Sequence, residues 1–313
     1  MTDTMAKLPQ ILCITGPTAS GKSALALSLA QQLGGEIVSA DSMQVYRGMD
    51  IGTAKPSVEE RSLVPHHMLD VCDPSEGYSA GRYAAEAALC VDAVFSRGRV
   101  PIVVGGTGMY INALLSGGEL PDRPGDPSAR QALFEYAELH GANALHARLA
   151  KLDPESAGRL HPNDVKRVAR ALEVNEQTGH AVSDFTGLSL TAQPRYDAEI
   201  YALRFEERSV LYSRIDRRVD DMITCGLLDE VRGLVEAGVP RICTAMQAIG
   251  YKELLPVLDG SRALSAAVGD IKQGSRRYAK RQLTWFRRDG RIKWLTLSGE
   301  EHVKNILEKF FSF

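Results

Sequence analysis

The sequence predicts an α/β fold in which helices flank a parallel sheet and a helical insertion interrupts the core. Two observations support this prediction. Short, nearly continuous apolar segments alternate with helical patterns over the first 115 residues, which is typical of a parallel sheet covered on both faces. The first apolar segment also ends at a glycine-rich loop that leads into a helix. Because such sheets bind ligands beyond the carboxyl ends of their strands, the loops after the strands should share one crevice.

The first part of the chain contains three predicted strands and two predicted helices. The strands are Gln10–Thr15, Glu36–Ala40 and Arg99–Val104. Helices are predicted over Ser23–Leu33, where leucines recur every four residues, and over the alanine-rich stretch Arg82–Phe95. The strict alternation of strand and helix favours parallel strands joined by helical crossovers.

The composition changes after Leu115, and we predict a helical insertion over residues 116–195 between the two parts of the core, 1–115 and 196–313. Segments rich in glycine and proline, Ser116–Pro127 and Thr186–Pro194, predict loops within it. The predicted helices of the insertion are Ala129–Leu139, Asn143–Leu152 and Asn163–Thr178. The core then resumes with strand Ala198–Leu203, helices Arg208–Ala237 and Ser261–Arg288, and strand Arg291–Leu297.

Composition and charge exclude several classes of protein. The 313 residues are 44% hydrophobic and 24% charged, as in an ordinary globular protein. With 37 basic and 39 acidic side chains, the chain is neither a histone-like basic arm nor an acidic disordered segment. Five scattered cysteines without a C-x-x-C pair argue against a disulfide framework or zinc site and indicate a reducing compartment. The start lacks a signal-peptide core and the uncharged stretch Val100–Gly118 is glycine-rich, so we expect a cytoplasmic protein without a membrane span.

The most specific motif is G-x-x-x-x-G-K-S, which stands between the first strand and the first helix. Its glycines let backbone N–H groups surround a phosphate chain, and the helix N-terminus adds partial positive charge. Lys22 supplies a point charge, and the Ser23 hydroxyl is a suitable ligand for Mg²⁺ bound to phosphates. The motif therefore predicts a P-loop-type core that binds a diphosphate or polyphosphate. The predicted phosphate-binding residues are Gly16, Pro17, Thr18, Ala19, Ser20, Gly21, Lys22 and Ser23.

A carboxylate follows the second predicted strand, in the segment S-A-D-S-M-Q. Nucleotide hydrolases and kinases normally hold their metal with an acid at the end of another strand, yet Arg99–Val104 is followed by G-G-T. Across the crevice from the phosphate loop, Asp41 could accept a proton or bind a metal through water. A turn or helix-cap role is the alternative, and these residues alone leave it open.

A series of motifs taken together resembles a known family. Their joint occurrence, in this order over roughly residues 10–290, is similar to the bacterial tRNA dimethylallyltransferases, the tRNA isopentenyltransferases of the anticodon loop. This joint occurrence is far more specific than any single element. The motifs are GPTASGKS, SADSMQVYRGMDIGTAKP, PHHMLD, YSAGRY, GGTGMY, HPNDVKRVARALEV, AIGYKE and RRYAKRQLTWFRRD.

The resemblance implies that the phosphate loop holds the diphosphate of dimethylallyl diphosphate rather than a nucleotide. The dimethylallyl group would pass to the exocyclic amine of the adenosine just 3′ of the anticodon in tRNA. Negative charge develops on the leaving diphosphate, where backbone amides, Lys22, Mg²⁺ and arginines would stabilise it. By motif match and position, Asp41 is the expected base for the amine, and Thr107 is expected to contact and orient the adenosine.

Two arginines are predicted to complete the diphosphate site. The segment Y-S-R-I-D-R-R lies at the start of a predicted helix, where Arg214 and Arg217, three residues apart, share one face. Because a planar guanidinium binds two phosphate oxygens at once, we assign Arg214 to diphosphate binding and Arg217 to catalysis. Ion pairs with neighbouring aspartates on a solvated helix surface are the alternative.

A basic stretch near the end of the chain predicts an RNA-binding surface. Residues 267–294 hold nine basic and two acidic side chains, with Tyr278, Trp285 and Phe286 between them. Basic side chains neutralise phosphates, and aromatic side chains stack on unpaired bases. The spacing also fits the buried face of an amphipathic helix, so we expect the aromatics mostly in the core and the arginines mostly facing RNA.

The resemblance implies further tRNA contacts around Asp41, in the insertion and in the segment Q-A-I-G-Y-K. A base that reacts at its exocyclic amine must leave the stack and enter a pocket, which should meet the phosphate loop at Asp41 and Thr107. The predicted tRNA-binding residues are Asp41, Ser42, Met43, Gln44, Thr107, Arg130, Lys166, Arg167, Val168, Ala169, Arg170, Gln247, Ala248, Ile249, Gly250, Tyr251, Lys252, Arg276, Arg277, Lys280 and Arg281.

Other functions are compatible with the phosphate loop alone. A small-molecule P-loop kinase would bind ATP there but would not need the basic stretch. An adenylate isopentenyltransferase would prenylate a free nucleotide and would not need anticodon-stem contacts. An RNA-binding GTPase is disfavoured because we find no N-K-x-D-type motif. His66 and His67 are not accompanied by a set of ligands that completes a metal site, and they are assigned structural or hydrogen-bonding roles. A monomer is expected because one tRNA per monomer would suffice.

Overall fold

A computed structural model of the chain describes residues 10–116, 127–184, 193–299 and 303–311. Its centre is one six-stranded sheet in which every strand pairing is parallel. The predicted α/β fold with a parallel sheet is therefore confirmed. In chain order the strands are β1 (Gln10–Thr15), β2 (Gly35–Ser39), β3 (His66–His67), β4 (Val100–Gly105), β5 (Asp197–Phe205) and β6 (Lys293–Leu297), and their order across the sheet is β3-β2-β4-β1-β5-β6.

The central strands are buried along almost their whole length, which explains their continuous apolar sequences. All five residues of β2 and five of the six residues of both β1 and β4 are buried. In the register of β1 and β4, Thr15 lies opposite Gly105. The phosphate loop and the G-G-T-G loop therefore leave the sheet side by side, at its carboxyl edge.

Helices surround this sheet, and their bounds differ from the predicted ones in a few places. The predicted helix 208–237 is two helices, because the chain turns at Gly226, whose φ of +98° is in the left-handed region that favours glycine. The structure also adds the short edge strand β3, which is too short to show a hydrophobic period. The helices of the core are Lys22–Leu33, Val58–Leu63, Ala80–Ser96, Gly108–Leu115, Arg208–Thr224, Leu227–Glu236, Leu255–Leu258, Leu264–Phe286 and Val303–Phe311, with a 3-10 turn at Ala245–Gln247.

The main hydrophobic core lies between the sheet and the first helix. Leu25 and Leu29 of the helix Lys22–Leu33 are fully buried against side chains of β1 and β4, among them Ile14 and Ile102. The leucine spacing that predicted the helix thus marks its inner face. The phosphate loop enters this helix directly, so the packed core holds the loop in place.

The chain divides into two compact units. One comprises residues 1–78, 83–115 and 195–313, and the other residues 79–82 and 116–194. The second unit contains the helices Pro127–His140, Ala142–Leu152, Pro154–Arg159 and Val165–Thr178. They pack around their own core, which includes Leu145, Leu149, Val168 and Leu172. Most of the two segments predicted as loops, residues 117–126 and 185–192, lies outside the described residues.

Within the described ranges, none of the helices combines the length and the apolar character that crossing a membrane requires.

Candidate active site

A cleft of about 360 Å³ opens at the carboxyl ends of the strands. Loops after the strands form one side of it, and two helices of the core, Arg208–Thr224 and Leu264–Phe286, form the other. The cleft brings together residues that are widely separated in the sequence, as the prediction of a shared crevice requires. Its polar lining includes Thr18, Lys22, Ser23, Asp41, Ser42, Gln44, Arg218, Gln247, Lys252, Tyr278, Arg281 and Gln282.

The phosphate loop has the backbone conformation that its glycines permit. Gly16 and Gly21 have φ values of +139° and +91°, and Ala19 between them has a φ of +61°. A side chain at Gly16 would also have its Cβ 3.0 Å from the carbonyl oxygen of Leu203, so glycine is required there on two grounds. The loop leads into the helix that begins at Lys22, where backbone N–H groups and the helix dipole favour an anion.

Lys22 points into the cleft, and its Nζ lies 3.4 Å from the carbonyl oxygen of Pro17. Burial lowers the pKa of Lys22 from its ordinary value to about 8, with a further lowering by Arg218 that Asp41 partly opposes. A bound anion would favour the charged form of this lysine. Lys22 and Arg218 therefore bring two basic side chains to the same cleft.

Asp41 and Thr107 are joined through the short turn that follows β2. One carboxylate oxygen of Asp41, Oδ1, accepts a hydrogen bond of 2.9 Å from the Met43 N–H. The Thr107 hydroxyl accepts the Ser42 N–H at 3.0 Å, and the Thr107 N–H donates to the carbonyl oxygen of Ala40 at 3.2 Å. The structure therefore brings Asp41 and Thr107 to one place; Asp41 lines the cleft, whereas Thr107 is not among the residues that line it, so its contact with the adenosine stays a prediction.

The glycines before Thr107 allow this close approach of two loops. A Cβ at Gly105 would lie 2.0 Å from the carbonyl oxygen of Ala40, and a Cβ at Gly106 would lie 2.1 Å from Nε2 of Gln282. Neither position has room for a side chain. The G-G-T sequence therefore lets the chain pass between the turn that carries Asp41 and the helix that carries Gln282.

The arginines of the helix Arg208–Thr224 do not all face the cleft. Arg214 donates from Nε to the carbonyl oxygen of Ala19 at 2.9 Å, so it contacts the phosphate loop, but it is not among the residues that line the cleft, and its assignment to diphosphate binding stays a prediction. Arg217 is exposed and is not among the residues that line the cleft, whereas Arg218 lines it. Burial lowers the pKa of Arg218, and Asp41 opposes that shift. The geometry therefore favours Arg218, which the sequence analysis missed, over Arg217 as the arginine at the reacting groups.

A signal for Arg218 is present in the sequence. Leu211, Ile215 and Val219 recur every four residues and are buried, so they mark the inner face of the helix. Arg214 and Arg218 follow the same four-residue spacing and each precedes one of these buried residues. Arg217, which the three-residue spacing favoured, lies on a neighbouring part of the helix surface and is exposed.

The segment Gln247–Lys252 lines the cleft, as its predicted role in tRNA binding requires. Tyr251 is fully buried, however, and its hydroxyl donates to Glu230 at 2.6 Å. The same carboxylate accepts three consecutive backbone N–H groups, from Asp50, Ile51 and Gly52. Tyr251 therefore shapes the wall of the cleft, and burial raises the pKa of its hydroxyl well above the ordinary value.

The helix Leu264–Phe286, here called the basic helix, contributes Tyr278, Arg281 and Gln282 to the cleft. The Arg281 guanidinium lies over the Tyr278 ring at 5.5 Å, and burial raises the pKa of Tyr278 to about 12. Phe286 is in the core as predicted, but Trp285 is 44% exposed, which corrects that prediction. The Trp285 indole packs where a Cβ on Gly108 would otherwise lie, so it covers the start of the helix after Thr107.

The predicted tRNA-binding arginines of the basic helix are in different environments. Arg276 forms an ion pair of 2.5 Å with Asp216, so it connects two helices. Arg277 and Lys280 are exposed, and we find no ion pair for either within the described parts of the chain. The solvent-facing positive charge of this helix therefore lies at Arg277, Lys280 and Arg281 rather than at Arg276.

In the insertion, the structure separates two roles among the predicted tRNA-binding residues. Arg130 and Arg170 both bind the carboxylate of Glu173, which is completely buried. Val168 and Ala169 are also completely buried, so neither offers a side chain to RNA, which corrects the prediction for those two residues. Lys166 and Arg167, by contrast, are exposed.

Metal ligands are sparse around the cleft. Within the described parts of the chain, no group of three or more His, Cys, Asp or Glu side chains is arranged to hold a metal ion. Ser23 lines the cleft beside Lys22 and offers one hydroxyl oxygen. His67 contacts Glu36 at 2.7 Å, which is the hydrogen-bonding role predicted for it.

Comparison with known proteins decides the family. Residues 44–289 match the family model described as IPP transferase. The chain is 48% identical over 312 residues to the tRNA dimethylallyltransferase of Symbiobacterium thermophilum, with 97% of each chain covered. It is 47% identical to the tRNA dimethylallyltransferase of Geobacillus thermodenitrificans, with 97% of this chain and 96% of the relative covered. The chain belongs to the IPP transferase family.

Solved structures of relatives agree with the fold of this IPP transferase. The tRNA isopentenylpyrophosphate transferase of Bacillus halodurans is 43% identical, covers 98% of this chain and 96% of its own, and gives a TM-score of 0.70. A eukaryotic dimethylallyltransferase acting on tRNA is 30% identical, covers 97% of this chain and 77% of its own, and gives a TM-score of 0.79. The resemblance inferred from the motifs is therefore confirmed.

Proposed function

We propose that this IPP transferase moves the dimethylallyl group from dimethylallyl diphosphate to the exocyclic N6 amine of the adenosine 3′-adjacent to the anticodon in tRNA. The products are N6-dimethylallyladenosine and diphosphate. The observation that carries the proposal is a single cleft shared by an anion-binding loop, a carboxylate and a basic helix. The relatives that are 47–48% identical are tRNA dimethylallyltransferases, which supports the same reaction.

The diphosphate lies against the phosphate loop in this proposal. Backbone N–H groups that follow Thr18 in the phosphate loop, the ammonium of Lys22 and the guanidinium of Arg218 stabilise the charge that develops as the C–O bond breaks. Arg214 holds the loop from outside through Ala19. The cleft wall also carries apolar side chains, Ile215, Val219 and Ile271, that suit the branched allyl chain.

The adenosine enters from the side of Asp41 and Thr107. Its amine nitrogen forms the new bond to the allylic carbon while one N–H proton passes to the Asp41 carboxylate. One oxygen of Asp41 is held by the Met43 N–H, and this bond orients the carboxyl group. Thr107, fixed by Ser42, is suited to orient the amine.

Mg²⁺ is proposed as the cofactor, with Ser23 as its protein ligand. One hydroxyl without a carboxylate cluster fits an ion held mainly by diphosphate oxygens and water, which is the usual coordination of Mg²⁺ on phosphates. When bound, the ion would supply positive charge to the leaving diphosphate. Lys22 and Arg218 supply such charge from the chain itself.

Exposed basic side chains of each compact unit, considered separately, are proposed to contact the tRNA. Ser42, Met43, Gln44 and Gln247 line the cleft where an extruded base would enter. Exposed positive charge lies on the basic helix and on the insertion, which would contact the RNA backbone. The side chains proposed for these contacts are Lys166, Arg167, Lys252, Arg277, Lys280 and Arg281. We propose that a monomer is active, because one tRNA per monomer would suffice.

The proposal is tested by incubating the protein with dimethylallyl diphosphate, Mg²⁺ and unmodified tRNA, followed by mass analysis of the tRNA nucleosides. Prenylated adenosine is expected, with no consumption of ATP. A tRNA with guanosine in place of the reacting adenosine is the matched control and should remain unmodified. Turnover of ATP without transfer from the allyl diphosphate would favour a kinase, and faster transfer to free AMP than to tRNA would favour an adenylate isopentenyltransferase.

A further inference from the structure

Gln282 connects the two halves of the cleft. Its side chain is 5% exposed, and its Oε1 accepts a hydrogen bond of 2.9 Å from the backbone N–H of Thr18 in the phosphate loop. Its Nε2 donates a hydrogen bond of 3.0 Å to the carbonyl oxygen of Gly106, the residue before Thr107. One side-chain amide thus holds two loops whose functions in the proposed reaction are different.

We propose that Gln282 is a positioning residue that fixes the distance between the departing diphosphate and the attacking adenosine. The inference rests on the proposed function, since it assigns the Thr18 side to the leaving group and the Thr107 side to the nucleophile. The strands β1 and β4 keep the two loops in register up to Thr15 and Gly105. Beyond the sheet edge, the Gln282 amide is the bridge between them.

The chemistry of the bridge requires a residue of this type. One loop presents an N–H and the other a carbonyl oxygen, so the bridging group must both accept and donate. An amide side chain does both at one end, whereas a carboxylate only accepts and an ammonium only donates. The Gln282 amide fills the space beside Gly106. A Cβ on Gly106 would therefore lie only 2.1 Å from Nε2 of Gln282.

The Thr18 N–H is already used as a hydrogen-bond donor to Gln282. That N–H points to Gln282 and is therefore not available to a diphosphate, and the position of the phosphate loop depends on the basic helix. The same helix carries the exposed Arg277 and Lys280 that are proposed to hold RNA. A misplacement of about 1 Å between reacting groups can lower a rate about 100-fold, so a loosened bridge should affect the chemical step more than the binding of either substrate.

Two variants and one control test the proposal. Gln282→Met keeps the length of the side chain but removes both hydrogen bonds, and Gln282→Glu keeps the acceptor for Thr18 and loses the donor to Gly106. Thr284→Ala on the same helix is the matched control, since its hydroxyl is exposed and bonds only to the carbonyl oxygen of Lys280. The measurements are single-turnover transfer to tRNA, the KM for each substrate, circular dichroism and thermal unfolding.

The decisive measurement is the partition of the allyl group between RNA and water. Attack by water breaks the same C–O bond and gives diphosphate and 3-methylbut-2-en-1-ol, with one proton released to solvent. This side reaction needs the leaving-group loop but not a correctly placed adenosine. We therefore expect Gln282→Met to lower the rate of transfer about 10- to 100-fold with both KM values within about threefold, and to raise the ratio of alcohol to prenylated RNA.

Gln282→Glu should fall between Gln282→Met and the wild type, and Thr284→Ala should match the wild type in rate and product ratio. An unchanged rate of transfer in Gln282→Met, or a loss of transfer with an unchanged product ratio, would overturn the positioning role. If Gln282→Met does not fold by circular dichroism, the product ratio of Gln282→Glu decides by the same criteria. A wild-type protein that makes no prenylated tRNA would instead refute the proposed function itself.

Discussion

The sequence predicts the positions of side chains in the loops at the carboxyl edge of the sheet better than it predicts the positions of arginines on the helices. The loop residues Lys22 and Asp41 both lie in the cleft, as their places in the motifs predicted. On the helix Arg208–Thr224, the structure turns Arg217 to solvent and Arg218 into the cleft. The end of a buried parallel strand fixes the position of the loop that follows it at the carboxyl edge of the sheet. Adjacent residues on a helix, by contrast, point about 100° apart, so an error of one residue changes which side chain faces the cleft.

In the insertion, too, the motif did not predict which basic side chains face solvent. Four arginine or lysine residues there were predicted to bind tRNA, yet Arg130 and Arg170 both bind the buried carboxylate of Glu173. Lys166 and Arg167 face solvent on the same helix as Arg170. Arg130 and Arg170 therefore have a structural partner in the insertion, whereas tRNA binding by Lys166 and Arg167 stays a prediction.

The largest effect is expected at Asp41, in the loop region. Asp41→Asn keeps the shape of the side chain and the acceptor for the Met43 N–H but removes the base, so turnover should fall about 100-fold or more. Filter binding should show unchanged affinity for tRNA. Asp259→Asn, at an exposed ion pair with Arg241, is the control and should keep full activity. Near-normal turnover of Asp41→Asn would remove Asp41 from the role of base.

The second largest effect is expected at Lys22, whose contribution to diphosphate binding should depend on pH. Lys22→Ala should weaken the binding of inorganic diphosphate about 10- to 100-fold at pH 7, since a charge-assisted hydrogen bond is worth about 1.5–3 kcal/mol. Burial lowers the Lys22 pKa to about 8 in the free protein, and a bound anion raises it. The lysine therefore contributes fully below about pH 8, and its contribution falls as the pH rises above that value.

Isothermal titration of wild type and Lys22→Ala at several pH values measures this contribution. The ratio of their dissociation constants cancels the protonation of diphosphate itself. The ratio should shrink steadily between about pH 8 and pH 10. A ratio that stays constant over this range would show that the charge of Lys22 does not take part in diphosphate binding.

A third and smaller effect separates the two neighbouring arginines. Arg218→Ala should lower kcat/KM for dimethylallyl diphosphate about tenfold, because it removes a cation from the cleft. Arg217→Ala should change it by less than about threefold, since that side chain is exposed. Steady-state kinetics at saturating tRNA compare the two variants directly. A larger loss of kcat/KM in Arg217→Ala than in Arg218→Ala would instead support Arg217, the arginine that the sequence assigned to catalysis.

The smallest effects are expected in the insertion, where two variants should change different properties. Arg130→Ala should lower the free energy of unfolding by about 1–2 kcal/mol, because it removes one of two cations from the buried Glu173. Arg167→Ala removes an exposed ion pair of 3.2 Å with Asp164, so it should change stability by less than about 0.5 kcal/mol and lower the slope of tRNA affinity against salt concentration by about one. Denaturant unfolding and salt-dependent binding test the pair. Equal salt slopes for Arg167→Ala and wild type would exclude a phosphate contact by that residue.

Sequence reasoning predicted the sheet, the phosphate loop and the place of Asp41, because local periodicity and contiguous motifs determine them. It missed the edge strand His66–His67, which is only two residues long. It also missed Gln282, whose contacts with Thr18 and Gly106 join residues 264 and 176 positions apart. Contacts of this kind depend on how a helix is rotated against the sheet, and a single sequence carries little information about that rotation.

The same sequence separation has a consequence for synthesis of the protein. During synthesis on the ribosome, Thr18 of the phosphate loop emerges 264 residues before its partner Gln282. Strand β6, which pairs only with β5, emerges later still. Contacts between residues so far apart form slowly, so a chain stalled or cleaved before the basic helix should fold part of its sheet while its cleft stays incomplete.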